Sequence, residues 1–187
     1  MIHHFTIRYG PGDGETVSET TPIPVATSPR TLRLLKAELN VIAAGGCVLR
    51  LAGLYTLERG AHNYWLDVNK SKGQVKGSKG GIINLLHYDD AAGSCVAALK
   101  KGDGGVDNEN HTDINGKVFL ISDGHPTTRI GICESALKSK TYSGLDMPSF
   151  GEDDSGGKGK IYDGHWSNDV LSWDPVYSSF DEFMKNS

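Results

Sequence analysis

An α/β fold with a largely parallel sheet is what this sequence predicts, and three segments predict it. Cys47–Leu51 is apolar throughout except for Arg50, as in a strand buried on both faces. Ile82–Leu86 is a second short apolar strand, followed by a His-Tyr-Asp-Asp turn and an alanine-rich helix over residues 88–101. Gly116–Ser122 is a third, with a helix over Thr127–Lys140 and Thr127 as its N-cap. A strand at Phe5–Tyr9, a helix from Pro29 and the strand Cys47–Leu51 make the parallel crossover unit, so those two strands are expected to lie side by side.

The remaining elements follow in order. Phe5–Tyr9 reads as a strand, Pro11–Gly14 as a turn and Glu15–Pro24 as an extended loop. Ser28 then caps a helix, with Pro29 at the first helical position. Leu32, Leu35, Leu39 and Ile42 recur along that helix at helical spacing, and Gly45–Gly46 ends it. Residues 60–67 form a short helix carrying Tyr64, Trp65 and Leu66. Residues 69–81 are a solvated loop in which Lys70, Lys72, Lys76 and Lys79 alternate with Gly and Ser. Segments 102–115 and 141–160 are polar and expected to be mobile. The chain re-enters structure at Trp166–Pro175, and Phe180, Phe183 and Met184 are spaced for a short amphipathic helix.

With 187 residues the chain can bury one substantial core. Its net charge of -4, with the basic residues scattered, argues against a nucleic-acid partner. Cys47, Cys95 and Cys133 are odd in number and lie far apart in apolar stretches. They read as buried free thiols, which suits a soluble protein of a reducing compartment, cytoplasm or an organelle stroma or matrix. No apolar run approaches the roughly 18 residues of a membrane span. The N-terminus has no signal-peptide order. His3, His4 and His62 show no metal-ligand spacing, and no G-x-S-x-G turn is present.

Five pieces of the chain, in order, resemble the extended short-chain dehydrogenase/reductase family, the NAD-dependent epimerase/dehydratase group. Tyr9-Gly10, Asp13-Gly14-Glu15 and Glu19–Pro22 look like its "VYGD..GE.VDE..P" loop. Val48–Tyr55 resembles "LRLAGIYG", and Asn84, His87, Asp89 and Asp90 fit "NRIHVDDLA". Lys117–Pro126 fits "VYNVSDDEPVT", and Ser167-Asn168 with Leu171–Tyr177 fits "SNARLRELGWEPRYPSY". The match corresponds to the C-terminal part of the family. The resemblance implies a partial Rossmann-like parallel sheet over residues 1–68, equivalent to the fifth and sixth strands. Residues 69–187 then supply the small substrate lobe within the same domain. It implies NAD or NADP near Leu51, Ala52 and Gly53, and a substrate pocket at Tyr55, Asn84 and His87. Tyr55 and Gly53 fall at the carboxyl end of a parallel strand, where such sheets bind ligands. His87 and Asp90 allow a dyad, or an ordinary reading in which Asp90 caps the following helix and His87 points at a neighbouring loop.

The departures bear on chemistry. No G-x-x-G-x-x-G opens a helix after a strand in these 187 residues, so bound dinucleotide is not assured. The catalytic Tyr-x-x-x-Lys falls on Arg30 and Leu34, and the Ser/Thr position on Phe5, with Thr6 beside it. Arginine stays protonated and cannot serve as the acid/base. No catalytic residue is therefore assigned. Two expectations result. One is a truncated NAD(P)-dependent epimerase/dehydratase relative, inactive as this chain. The other is a non-catalytic binding or assembly subunit, pairing its open sheet edge with another protein or with itself.

Overall fold

The computed structural model describes residues 13–23, 28–102, 113–151 and 157–187. The predicted Phe5–Tyr9 strand, its pairing beside Cys47–Leu51, His3, His4 and residues 103–112 lie outside the described residues. The described elements run β1 (Asp13–Val17), α1 (Pro29–Ala43), β2 (Val48–Leu51), β3 (Gly53–Tyr55), α2 (Ala61–Leu66), α3 (Val68–Ser71), β4 (Gln74–Val75), β5 (Ile82–Ile83), β6 (Leu85–His87), α4 (Tyr88–Gly102), β7 (Val118–Ile121), β8 (Thr127–Thr128), α5 (Arg129–Leu137), β9 (Ser149–Phe150), β10 (Gly159–Tyr162), α6 (His165–Leu171) and α7 (Phe180–Lys185).

Helix α1 begins as its sequence dictates. The Ser28 hydroxyl accepts the Thr31 N–H at 3.1 Å, and Pro29 takes a position where no donor is needed. Its buried face is not the predicted leucine stripe. Leu32 is 47% and Leu39 64% exposed, while Glu38 and Val41 are buried. The cause is Arg50. All four residues of β2 are buried, so the guanidinium needs a carboxylate inside the protein. Glu38 supplies it, with Nε to Oε1 at 3.2 Å and Nη2 to Oε2 at 2.8 Å. The ion pair turns α1, and the leucines face outward.

Among the described residues, four strand pairings are parallel, β1 with β10, β2 with β7, β3 with β6 and β4 with β9, and one, β5 with β8, is antiparallel. The α/β class with short parallel sheets is thus as expected. Details differ. The supposed lysine loop contains α3 and β4, and β4 pairs with β9 from the segment expected to be mobile. That segment also holds part of β10, which is pinned through Gly159. There φ is +85°, and a Cβ would lie 2.4 Å from the Ile82 carbonyl oxygen. The N-cap of α5 is Thr128, not Thr127: the Thr128 hydroxyl accepts the Gly131 N–H at 3.0 Å. The Ile82–Leu86 strand is two strands, interrupted at Asn84.

Three apolar clusters form the core among the described residues, the smallest being Val17 with Leu120. Leu49, Leu51, Leu86, Phe119, Ile121 and Leu171 make the first, and Tyr55, Leu66, Ile132, Phe180 and Met184 belong to the second. Helix α7 buries Phe180 and Met184 as its spacing predicts. All three cysteines are free, but only Cys133 is fully buried.

Candidate functional site

The site is built by a change of partner within one strand. Residues 48–51 pair with β7 in register, and the Ala52 N–H still reaches the Ile121 carbonyl. At Gly53 the N–H turns to the Asn84 carbonyl, and β3 runs beside β6. On its other side β6 accepts the Asp123 N–H at Leu85. The three-residue strand β6 is thus wedged where β2 and β7 part. Such a split in a parallel sheet opens at the carboxyl ends of the strands. Tyr55, His87 and Asp123 stand at those ends.

Tyr55 and His87 meet, with ring centroids 5.3 Å apart. The Tyr55 ring also packs edge-on against Phe180 at 4.9 Å and Phe183 at 5.5 Å. Its hydroxyl is buried without a hydrogen-bond partner. Burial, reinforced by the negative charge of Asp123 and Asp90, raises its pKa far above the ordinary tyrosine value and keeps it protonated. His87 accepts the Asp89 N–H on Nδ1 at 3.2 Å, which places its proton on Nε2 when neutral. Burial lowers its pKa, against the opposing pull of Asp89 and Asp90. Tyr177 covers the ring with centroids 3.9 Å apart.

The two aspartates divide the work. The Asp90 carboxylate accepts the N–H groups of Val176 and Tyr177 at 2.7 and 3.0 Å. It therefore straps the C-terminal segment over the site and does not cap α4. His87 itself takes the capping contact at the start of that helix. Asp123 Oδ1 accepts the His125 N–H at 2.9 Å, while Oδ2 is buried with no partner. Burial pushes its pKa up to about 7, with His125 opposing and Asp90 adding. A carboxyl group titrating there suits proton transfer, but Asp123 is almost wholly buried. Replacing Asp90 with asparagine leaves one acceptor for two amides. Urea unfolding should register a loss of about 2 kcal/mol, and unchanged stability would show that the strap does not depend on this carboxylate.

The other sequence-predicted residues lie elsewhere in the fold. Asn84 does not share the Tyr55–His87 cluster. Its side chain donates to the Lys160 carbonyl at 2.7 Å and accepts the Tyr162 N–H at 2.9 Å, bridging to β10 as a peptide group would. Leu51 and Ala52 are buried, and the Ala52 and Gly53 amides are committed to strand pairing. A Cβ on Gly53 would lie 3.2 Å from the Asn84 carbonyl oxygen. Arg30 is exposed and Leu34 half-buried on α1. His62 is buried with Nε2 at 2.9 Å from the Leu57 carbonyl, and no cluster of metal-ligating groups exists among the described residues. Asp123 and Tyr177 were missed as site residues. Asp123 closes an apolar strand much as His87 does, so the carboxyl-end rule applied to the third strand singles it out.

Geometry of this kind defines a Rossmann-like α/β scaffold, and solved structures of that fold include NAD-dependent epimerases and dehydratases. UDP-glucuronic acid 4-epimerase from Bacillus cereus, in complex with NAD, superposes with a TM-score of 0.74 at 19% identity, over 98% of this chain and 58% of that one. The dTDP-glucose 4,6-dehydratase from Bacillus anthracis, also with NAD, gives 0.69 at 15% identity, over 99% and 59%. Protein YeeZ of Escherichia coli (strain K12) is 31% identical over 162 residues, 85% of this chain and 51% of that protein. The chain therefore spans about half the length of the curated relatives it matches. No protein-family model matches it. No helix among the described residues is long and apolar enough to cross a membrane.

Proposed function

We propose that this chain is a part-length relative of the NAD(P)-dependent epimerases and dehydratases, and that alone it catalyses no turnover. The reading rests on the sequence resemblance, by which Arg30 and Leu34 of α1 stand where the family has its acid/base tyrosine and lysine. An always-protonated guanidinium cannot take up or release the proton such chemistry moves. The carboxyl-end cluster supports the same reading. At neutral pH it presents a neutral histidine and a protonated tyrosine, both sealed under the C-terminal strap. The second reading, a non-catalytic binding or assembly subunit, is favoured by the exposed apolar residues of α1.

Tryptophan fluorescence during NADH or NADPH titration separates the two. Saturable quenching supports a retained dinucleotide site near Leu51, Ala52 and Gly53. A flat titration, together with a stable complex on sizing, supports the assembly subunit. The double substitution Arg30→Tyr and Leu34→Lys is expected to give no NAD(P)H oxidation above background with a nucleotide-sugar substrate. Measurable oxidation by that variant would overturn the proposal, because it would show the remaining machinery to be complete.

A further inference from the structure

We propose that α7 is an acid-released clasp: protonation of His62 and His87, the buried histidines on which Phe180 and Phe183 rest, frees this helix from the carboxyl-end cluster while Asp181 keeps it attached to α5. The Phe180 ring lies 5.2 Å from that of His62 and the Phe183 ring 4.8 Å from that of His87, centroid to centroid. Tyr55 packs edge-on against both phenylalanines. The histidines are 1% and 5% exposed, so a positive charge on either is unfavourable. His62 Nε2 lies 2.9 Å from the Leu57 carbonyl, which can only accept, so the neutral ring carries its proton on that nitrogen. Nδ1 is buried with no partner, and a Cβ on Gly60 would lie 3.1 Å from it. A second proton there makes an unsatisfied charged donor among Tyr142, Phe180 and the turn at Gly60. His87 Nδ1 already accepts the Asp89 N–H, and a proton on it removes that bond.

The charges around the clasp fix its direction. The titratable group packed on His62 is the Tyr142 phenol, whose hydroxyl donates to the same Leu57 carbonyl, while Glu58 and Arg59 of the preceding turn are exposed. His87 faces Asp89 and Asp90 of α4, Tyr55 of β3 and Tyr177 of the strap. Burial lowers its pKa, and the two carboxylates oppose that without overcoming it. Burial likewise lowers the pKa of His62. When α7 lifts, water reaches both rings and they return toward the ordinary 6.5. Closure is therefore fully favoured above about pH 7 and is lost as pH falls below 6.5, by up to about tenfold per pH unit for each proton taken up. Asp181 does not respond over this range. Lys185, Lys138 and Ser135 donate to its carboxylate, the last two at 2.9 and 2.7 Å, and hold it far below the usual carboxylate range. Glu182 and Lys185 of α7 are exposed. The helix thus turns about its Asp181 tether to α5, and Phe180 and Phe183 uncover Tyr55. Nothing in this depends on dinucleotide binding, so it stands apart from the functional reading above.

Hydrogen exchange of the full chain, corrected for the intrinsic effect of pH, reads the clasp directly. Protection of the α7 amides is expected to fall about tenfold or more between pH 7.5 and 5.5, while the α1 amides keep theirs. His62→Gln keeps a donor for the Leu57 carbonyl, His87→Asn keeps an acceptor for the Asp89 N–H, and neither new side chain takes up a proton. The double variant should hold α7 equally at both pH values. Asp123 takes up its own proton over this range and favours the closed state, and because it is common to both proteins the comparison isolates the histidines. Should the variants fail to fold, nuclear magnetic resonance of the wild type decides: the His62 imidazole should titrate below 6.5, in step with the loss of α7 protection. Protection of α7 that falls no faster than that of α1 would overturn the proposal. So would an undiminished pH response in the double variant, or a His62 that titrates at 6.5 with α7 still closed.

Discussion

Glu38→Ala is expected to cost the fold about 3–5 kcal/mol, because it withdraws the carboxylate from a guanidinium that is itself buried. Both side chains are almost wholly enclosed, at 7% and 6% exposure, and their contact is bidentate. The attraction between them largely offsets the cost of removing two charges from water. Deleting one partner leaves the other's cost in place. Replacing both residues with methionine should therefore be far milder than the single change, since it removes two costs together with one attraction. Urea unfolding of the wild type, the single variant and the double variant measures this. A loss below about 1 kcal/mol for Glu38→Ala would be the behaviour of a solvent-screened surface pair, and would contradict the buried arrangement.

Asp123→Asn is expected to remove a pH dependence from stability. The carboxyl group titrates near 3.8 in an open chain and at about 7 in the fold, chiefly because it is buried. Below pH 4 both states hold the proton and the group contributes nothing. Between about pH 4 and 7 only the folded state holds it, so stability falls as pH rises, by about 1.4 kcal/mol per unit. Above pH 7 the loss is complete, at most about 4 kcal/mol. His62 and His87 act in the opposite sense, since burial lowers their pKa values and acid favours the unfolded chain. They are present in both proteins and cancel in the difference. The asparagine variant should match the wild type near pH 4.5 and exceed it at pH 8. A stability difference that does not change with pH would sink the assignment.

Sequence and structure agree where the physics is local. Ser28 followed by Pro29 announced the start of α1, and the near-continuous apolar runs announced β2 and β7. The spacing of Phe180 and Met184 announced α7. What pattern alone left open was the neighbour. The leucine stripe of α1 has the right period, but the period does not say what it faces. Arg50 looked like an interruption in β2 and instead decided how α1 sits. Asp90 looked like a helix cap because it lies in a first turn. Its actual partners, Val176 and Tyr177, are distant in sequence and no local rule reaches them. For the candidate site, Tyr55 and His87 were legible as strand-end residues. Asn84 looked equivalent, yet the break between β5 and β6 turns its amide toward β10.

The wedge of β6 between β3 and the end of β7 bears on how quickly the protein assembles. Ala52 and Gly53 are adjacent, yet their amides are tied to Ile121 and Asn84, partners separated from them and from each other by long stretches of chain. Neither ladder can be completed by hairpin closure, so loop entropy is spent before either rewards it. Refolding should accordingly be slow for a chain of this size, and the amides of these two residues should gain protection from hydrogen exchange only in its final phase.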